Sequence, residues 1–477
     1  MDKMRTTQYS FISIKFIILF FLGLFSSLNA QENQKKPPNF IIIFADDLGY
    51  GDLGVFGNPS INTPHLDRMA FEGQKWTNFY AAASVCTPSR AALLTGRLPV
   101  RSGMASNVNR VLFPDSKNGL PSYEITLAEQ LKKAGYITAA IGKWHLGHKE
   151  EFLPTNNGFD SYFGIPYSND MDRVDNSMDY WEFWRQPDDS IKTDYFNVPL
   201  LRDTKIIERP ANQNTITKRY SEEAVNFINN INEEPFFLYL AHNLPHIPLF
   251  ASKDFLGKSK RGLYGDVVEE IDNGVGRIIT ALRERGLEEN TIMVFTSDNG
   301  PWLPFENNGG SAGPLRAGKG TTWEGGVREP TIFWGPGYIQ KGVVQDLGST
   351  MDIFSTFSQL AGVAVPSDRI IDGIDLSETL LKVTPSARKS VLYYRGTDLF
   401  AARLGDFKVH FITQGAYGAF GERKVHEPPL LFNLAFDAGE HFNIADKHPA
   451  IISEIRELVK EHQKNLVKGK DQLVDRE

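Results

Sequence analysis

Cys86 is the single cysteine among 477 residues, so it can form no intramolecular disulfide, and its reactivity is the property to account for. It opens the run Cys86-Thr87-Pro88-Ser89-Arg90, followed by the helix-like Ala91-Ala92-Leu93-Leu94-Thr95-Gly96-Arg97. Asp46-Asp47 follow an apolar run, and adjacent acids repel unless a cation or a basic group neutralises them. Asp298-Asn299 stand in a similar place, within Thr296-Ser297-Asp298-Asn299-Gly300. Each pair alone is ordinary turn chemistry, but together they make an all-oxygen set suited to a hard divalent cation. Lys143 and His145, two residues apart, face the same way on extended backbone, whereas a generic loop would leave both solvated. Two more histidines, His242 and His246, fall in Ala241-His242-Asn243-Leu244-Pro245-His246. Lys319 ends a G-x-x-x-x-G-K spacing that begins at Gly313. Gly320 stands where a phosphate-binding loop needs Ser or Thr, and no strand precedes it, so a nucleotide site is rejected.

The elements that must position these residues alternate between strand and helix. Asn39–Ala45 is a continuous apolar run that reads as a buried strand, and 136–141, 235–240 and 291–296 read likewise. Helical patterns fall at 64–73, 124–134, 215–231 and 264–285. The alternation predicts an α/β fold: a large mixed, mostly parallel central sheet sandwiched by helices. In open α/β sheets ligands gather at the carboxyl ends of strands, where Asp46-Asp47 and Asp298-Asn299 stand. Beyond about residue 385 the texture changes to short strands at 391–395, 399–404 and 406–412, then a helix near 449–467. This predicts a smaller C-terminal antiparallel sheet with a helix, and a domain boundary between 31–385 and 386–477. The polar, irregular segment 168–213 reads as a long insertion rather than a core element.

Residues 1–30 read as a signal peptide: Lys3, Arg5 and Lys15 precede a short apolar run over 16–25, and Ala30 offers a small-residue exit. The run is too short to favour a membrane span, and no cysteine is near to carry a lipid anchor. The expectation is export to the periplasm or beyond, with no spanning helix once the signal is cleaved. Without disulfides, stability must come from a large core, which this length allows. The formal charge of −7 and the absence of a basic block exclude nucleic acid as a partner. An anionic substrate would then be met by local positive charge inside a pocket.

Cys86-x-Pro88-x-Arg90 and the helix-like stretch after it resemble the signature of the type I sulfatases, whose fold is alkaline phosphatase-like. The resemblance extends from about residue 38 to 465. Ala92–Pro99, Ala251–Gly257, Arg261–Asp266, Thr321–Gly326 and Tyr393–Gly396 are similar to the N-acetylgalactosamine-6-sulfatase branch. The animal enzymes' several cysteines are missing, so the chain looks like a bacterial relative. Segments 105–122 and 168–213, which would shape the substrate pocket, do not match.

The resemblance implies that a maturation enzyme oxidises Cys86 to formylglycine. It also implies that Asp46, Asp47, Asp298, Asn299 and the modified residue 86 hold one Ca²⁺. It assigns Arg90 to the hydrated aldehyde and Lys143 and Lys319 to the sulfate oxygens. His246 gives a proton to the leaving alcohol, and His145 takes one from the second hydroxyl. A hydrated aldehyde suits the chemistry because one hydroxyl attacks sulfur while the other remains to expel sulfate. The implied substrate is a sulfated carbohydrate, a glycosaminoglycan or an algal polysaccharide. Trp181 and Trp184, with Tyr180, offer amphipathic faces for sugar rings or else pin the insertion to the body. His242 and His426 read as structural. Two other functions fit the same residues: a phosphate or phosphonate ester hydrolase, and a non-catalytic binder of sulfated glycans.

Overall fold

The computed structural model describes residues 36–175, 177–179, 182–183 and 191–477. Residues 1–30, expected to be a signal peptide, and the aromatic trio Tyr180, Trp181 and Trp184 lie outside the described residues. The apolar runs become the strands of the main sheet: β1 (Asn39–Ala45), β2 (Gln74–Tyr80), β3 (Ile137–Gly142), β4 (Ser161–Gly164), β5 (Leu200–Arg202), β6 (Lys205–Glu208), β7 (Phe236–Ala241), β8 (Thr291–Ser297), β9 (Arg328–Trp334) and β10 (Gly342–Ser349). Their order is β10-β2-β9-β8-β1-β7-β3-β4-β5-β6. Strands β8, β1, β7, β3 and β4 pair in parallel. Strand β9 runs antiparallel to both its neighbours.

Strand β1 explains why the centre is apolar on both faces. Phe40, Ile42 and Phe44 point into one core with Trp76, Leu93 and Phe354, while Ile41 and Ile43 point into another with Leu66, Ile271 and Val275. Each fully buried side chain of this size contributes roughly 1.5–3 kcal/mol relative to exposure. Helices Pro64–Glu72, Ile216–Asn230 and Leu263–Glu284 cover the second face. Helices Cys86–Thr95, Leu127–Lys132 and Asp352–Leu360 cover the first. The helix–sheet–helix sandwich is therefore as expected.

The C-terminal sheet is antiparallel in the order β11-β12-β13-β14, formed by β11 (Ser390–Arg395), β12 (Asp398–Leu404), β13 (Phe407–Thr413) and β14 (Lys424–Asn433). One face receives helix Pro449–Lys464 through Ile452, Ile455 and Val459. Val391, Tyr393 and Ala401 pack on Tyr80, Val327 and Leu347 of the large body.

The reading of 168–213 needs correction. Strands β5 and β6 extend the main sheet, β5 pairing antiparallel with β4 and β6 with β5, and Phe183, Phe196, Val198 and Leu200 are buried in its core. Their apolar side chains are interspersed with charges, which hid them from a periodicity argument.

Candidate active site

The strands end at one place. Asp46 and Asp47 leave β1, Lys143 and His145 leave β3, His246 follows β7, and Asp298 and Asn299 leave β8. Helix Cys86–Thr95 begins at the cysteine itself, which puts Arg90 one turn along the same face. The helix closes on Gly96 with φ +67°, where a Cβ would strike the Phe354 ring. Gly142 has φ +105°, and a Cβ there would overlap the Ala241 carbonyl, so glycine is required for β3 to turn out towards Lys143. Asp47 and His145 themselves hold positive φ (63° and 59°), a conformation that costs a non-glycine residue roughly 1–2 kcal/mol and that is concentrated at functional sites.

The side chains interlock. Arg90 donates through Nε and Nη2 to Asp298 Oδ2 at 3.1 and 2.9 Å, and through Nη1 to the Lys143 carbonyl at 2.9 Å. Lys143 Nζ donates to Asp46 Oδ2 at 2.5 Å and to Ser168 Oγ at 3.1 Å. Lys319 Nζ donates to Asp47 Oδ2 at 2.7 Å, and Asn299 Nδ2 to Asp47 Oδ1 at 2.6 Å. Cys86 Sγ lies 3.4 Å from Asp46 Oδ1. Three buried carboxylates thus meet three buried cations.

Burial alone would raise Asp46, but Lys143, His246, Arg90 and Lys319 hold it well below the usual carboxylate range. Burial, countered by Lys319 and reinforced by Asp46, pushes Asp47 up to about 6. Burial and the Asp46 charge push Asp298 up to about 7. Burial and Asp46 also push the Cys86 thiol well above its ordinary value, so as a plain thiol it is a poor nucleophile.

Both histidines have their tautomer set by a backbone carbonyl. His145 faces the Leu112 carbonyl through Nε2 at 2.9 Å, which leaves Nδ1 buried and without a partner among the described residues. His246 faces the Ile247 carbonyl through Nδ1 at 2.5 Å, which leaves Nε2 towards Ser168 Oγ (3.4 Å) and Asp47 Oδ2 (3.6 Å). Burial and the neighbouring lysines lower both rings well below the ordinary histidine value. His242 is buried away from this network, and burial lowers it to about 4. His426 bonds Thr413 Oγ1 on the small sheet, in keeping with a structural role.

A cation fits the donor set. One ligand atom each from Asp46, Asp47, Cys86 and His246 lies within 4.8 Å of the others. Among the described residues, Asn299 Oδ1 is buried without a partner, and burial raises Asp47 and Asp298 although each is paired with a cation. The carboxylate and amide oxygens in this set are hard donors of the kind that suits calcium, whereas the Cys86 sulfur and His246 nitrogen are not.

These groups floor a cleft of about 1080 Å³ onto which Cys86, His145, His246 and Lys319 open. Other residues were not evident from sequence. Ser168 and Asp170 follow β4, and Trp302 holds Lys319 Nζ 4.2 Å from its ring centroid. Tyr417 reaches in from the C-terminal region and packs at a tilt against Trp302, with ring centroids 4.8 Å apart. The Lys319 loop is itself braced from the small sheet. Lys408 Nζ donates to the Thr322 carbonyl and to Glu324, and Glu440 accepts from the Glu324 backbone N–H.

A family model described as Sulfatase matches residues 38–363, and one described as the C-terminal region of aryl-sulfatase matches 386–477. The N-acetylgalactosamine-6-sulfatase of Mus musculus is 42% identical, with 96% of this chain and 91% of that protein covered. The arylsulfatase A of Homo sapiens is also 42% identical, covering 91% and 90%. Among solved structures, the PsFucS1 sulfatase from Pseudoalteromonas sp. superposes with a TM-score of 0.80 at 30% identity over 92% of this chain and 94% of that one. Ps i-CgsB in complex with k-i-k-neocarrahexaose gives 0.76 at 31%, over 91% and 94%.

Proposed function

The chain belongs to the sulfatase family and is a sulfuric ester hydrolase, and from that premise we propose that it cleaves sulfate esters on carbohydrates through a formylglycine made from Cys86. The observation that carries this reading is the meeting of Cys86, Arg90, Lys143, His145, His246 and Lys319 around one set of buried carboxylates. Asp46, Asp47, Asp298 and Asn299, with residue 86, would hold calcium. Bound there, the ion would supply a Lewis acid for sulfate oxygens, and the hydrated aldehyde a pair of hydroxyls on one carbon.

The chain's own groups divide the remaining tasks. Lys143 and Lys319, both buried side chains, bring ammonium charge to the non-bridging sulfate oxygens. Arg90, fixed by Asp298 and the Lys143 carbonyl, keeps positive charge one helical turn from residue 86. The Ile247 carbonyl occupies His246 Nδ1, so the proton for the departing alcohol is carried on Nε2. The unpartnered Nδ1 of His145 is a lone-pair acceptor and takes the proton whose removal expels sulfate. Ser168 Oγ, between Lys143 and His246, keeps both aimed at the same point.

A carbohydrate substrate is supported by the relatives, one named for N-acetylgalactosamine 6-sulfate and one solved with a neocarrahexaose. We further read 1–30 as an export signal, 31–385 as the catalytic region and 386–477 as a C-terminal subdomain. No helix among the described residues is long and apolar enough to cross a membrane. The test is peptide mass spectrometry over the Cys86 segment of protein made with a maturation enzyme, paired with assays on 4-nitrophenyl sulfate and 4-nitrophenyl phosphate. A mass about 18 Da below the thiol, together with preferential sulfate release, is expected. Retention of the thiol in a host that converts a control sulfatase would overturn the formylglycine reading.

A further inference from the structure

Beside the catalytic cleft lies a second hollow of about 430 Å³. Its walls include Val85 and Gly320, each one residue from a catalytic side chain, and Arg395, Phe400 and Arg423 from the C-terminal region. Arg110 lines both the hollow and the cleft.

The arginines here differ from three deeply buried ones elsewhere in the fold. Buried Arg90, Arg101 and Arg388 each hold a carboxylate within 3.1 Å: Asp298, Asp372 and Asp352. Among the described residues, no carboxylate oxygen lies within 4.0 Å of Arg395 or Arg110, and Arg423 reaches Asp398 only at 3.9 Å. Arg395 donates to the Gln414 carbonyl at 3.1 Å, and Arg110 lies 4.6 Å from the Tyr417 ring centroid. Arg395 and Arg423 both flank the Phe400 ring, at 5.8 and 5.9 Å. Burial and the like charges of Arg110 and Arg423 lower Arg395 to about 10. Three guanidinium groups therefore line one concavity with a single distant carboxylate to balance them. A guanidinium is planar and matches sulfate or carboxylate oxygens two at a time.

We propose that this hollow is a second anion subsite, which takes the sulfate or carboxylate of a sugar next to the one whose ester is hydrolysed. The inference rests on the carbohydrate sulfatase reading and sharpens it. The substrate is an oligosaccharide with anions on successive residues, laid across Arg110, rather than an isolated monosulfate.

Binding is measured on the full chain carrying Cys86→Ala, so that no turnover intervenes, by calorimetry with chondroitin 6-sulfate tetrasaccharide. Adding Arg395→Gln and Arg423→Gln together is expected to raise Kd about tenfold or more, the scale of one lost charge-assisted hydrogen bond, and to flatten its salt dependence. Arg423→Gln alone, at an exposed side chain, shifts Kd the same way without touching the core. A carboxyl-reduced tetrasaccharide separates the sources. If the arginine effect persists the recognised anion is sulfate, and if it vanishes the anion is carboxylate. Equal Kd for parent and variants, or no binding by the parent, overturns the subsite. Hydrolysis of 4-nitrophenyl sulfate by converted wild-type protein tests the sulfatase reading separately, because that probe carries one anion and cannot span both hollows.

Discussion

Lys319 Nζ lies 2.7 Å from Asp47 Oδ2, although 272 residues separate the two in sequence. Burial would lower the lysine, but Asp47 together with Cys86, Tyr417 and Asp46 outweighs it and holds Lys319 well above its ordinary value. The group is therefore a fixed cation at any assay pH. Lys319→Ala should lower kcat on 4-nitrophenyl sulfate about 10²–10³-fold, the usual loss for one preorganised electrostatic donor. Near-normal turnover would remove Lys319 from the mechanism.

The histidine geometry predicts a dependence on the leaving group. An alkoxide needs a proton on departure and 4-nitrophenolate hardly does. His246→Gln should therefore cost about 10²–10⁴-fold on a sugar sulfate and far less on the aryl ester. Because burial and Lys319 lower His246, the free enzyme gains its protonated form only as pH falls. On a sugar sulfate kcat/KM should thus decline as pH rises through the neutral range, and His246→Gln should flatten that decline. An equal loss on both esters would contradict the acid role.

Calcium should stabilise the fold as well as serve the reaction. Asp47 and Asp298 are raised to about 6 and 7 by burial, and Asp46 adds to both shifts. A cation bound only by the folded state adds about 2.7 kcal/mol when present at 100 times its Kd. Urea titrations with calcium and with a chelator should differ in unfolding free energy by that scale. Coincident curves would argue against a resident ion.

A separate pH effect belongs to Asp272, remote from the chemistry. It accepts hydrogen bonds from the Leu66 and His65 backbone N–H groups, yet burial prevails and pushes it up to about 7. The folded state therefore holds this proton more tightly than the unfolded chain, whose ordinary value is about 3.9. Its contribution is full below that value and is lost as pH rises through about 7. Asp272→Asn should make stability less sensitive to pH between about 4 and 7. An unchanged slope in urea melts at several pH values would exclude this group.

The parallel centre of the fold was legible because a strand buried on both faces must be largely apolar, as residues 40–45 and 292–295 are. Strand β9 was not, since Glu329 and Pro330 speak against a strand. Pro330 falls at an irregularity in the pairing with β2, where its missing N–H does no harm. The acids and lysines of the site stood out because charge directly after an apolar run is conspicuous. Ser168 and Asp170 did not, being common residues in a polar stretch. Tyr417 and Arg110 enter the cleft from segments whose placement only the tertiary fold decides.

The Lys408–Glu324–Glu440 brace beneath the Lys319 loop has a consequence for dissection. The two sheets do not divide into an engine and an accessory. One contributes the strand ends, and the other supports the loop that carries Lys319 and lends Tyr417 to the cleft wall. A chain ended at residue 385 would lose all of these at once. Its failure would appear as an inert enzyme, even if the large sheet still folded.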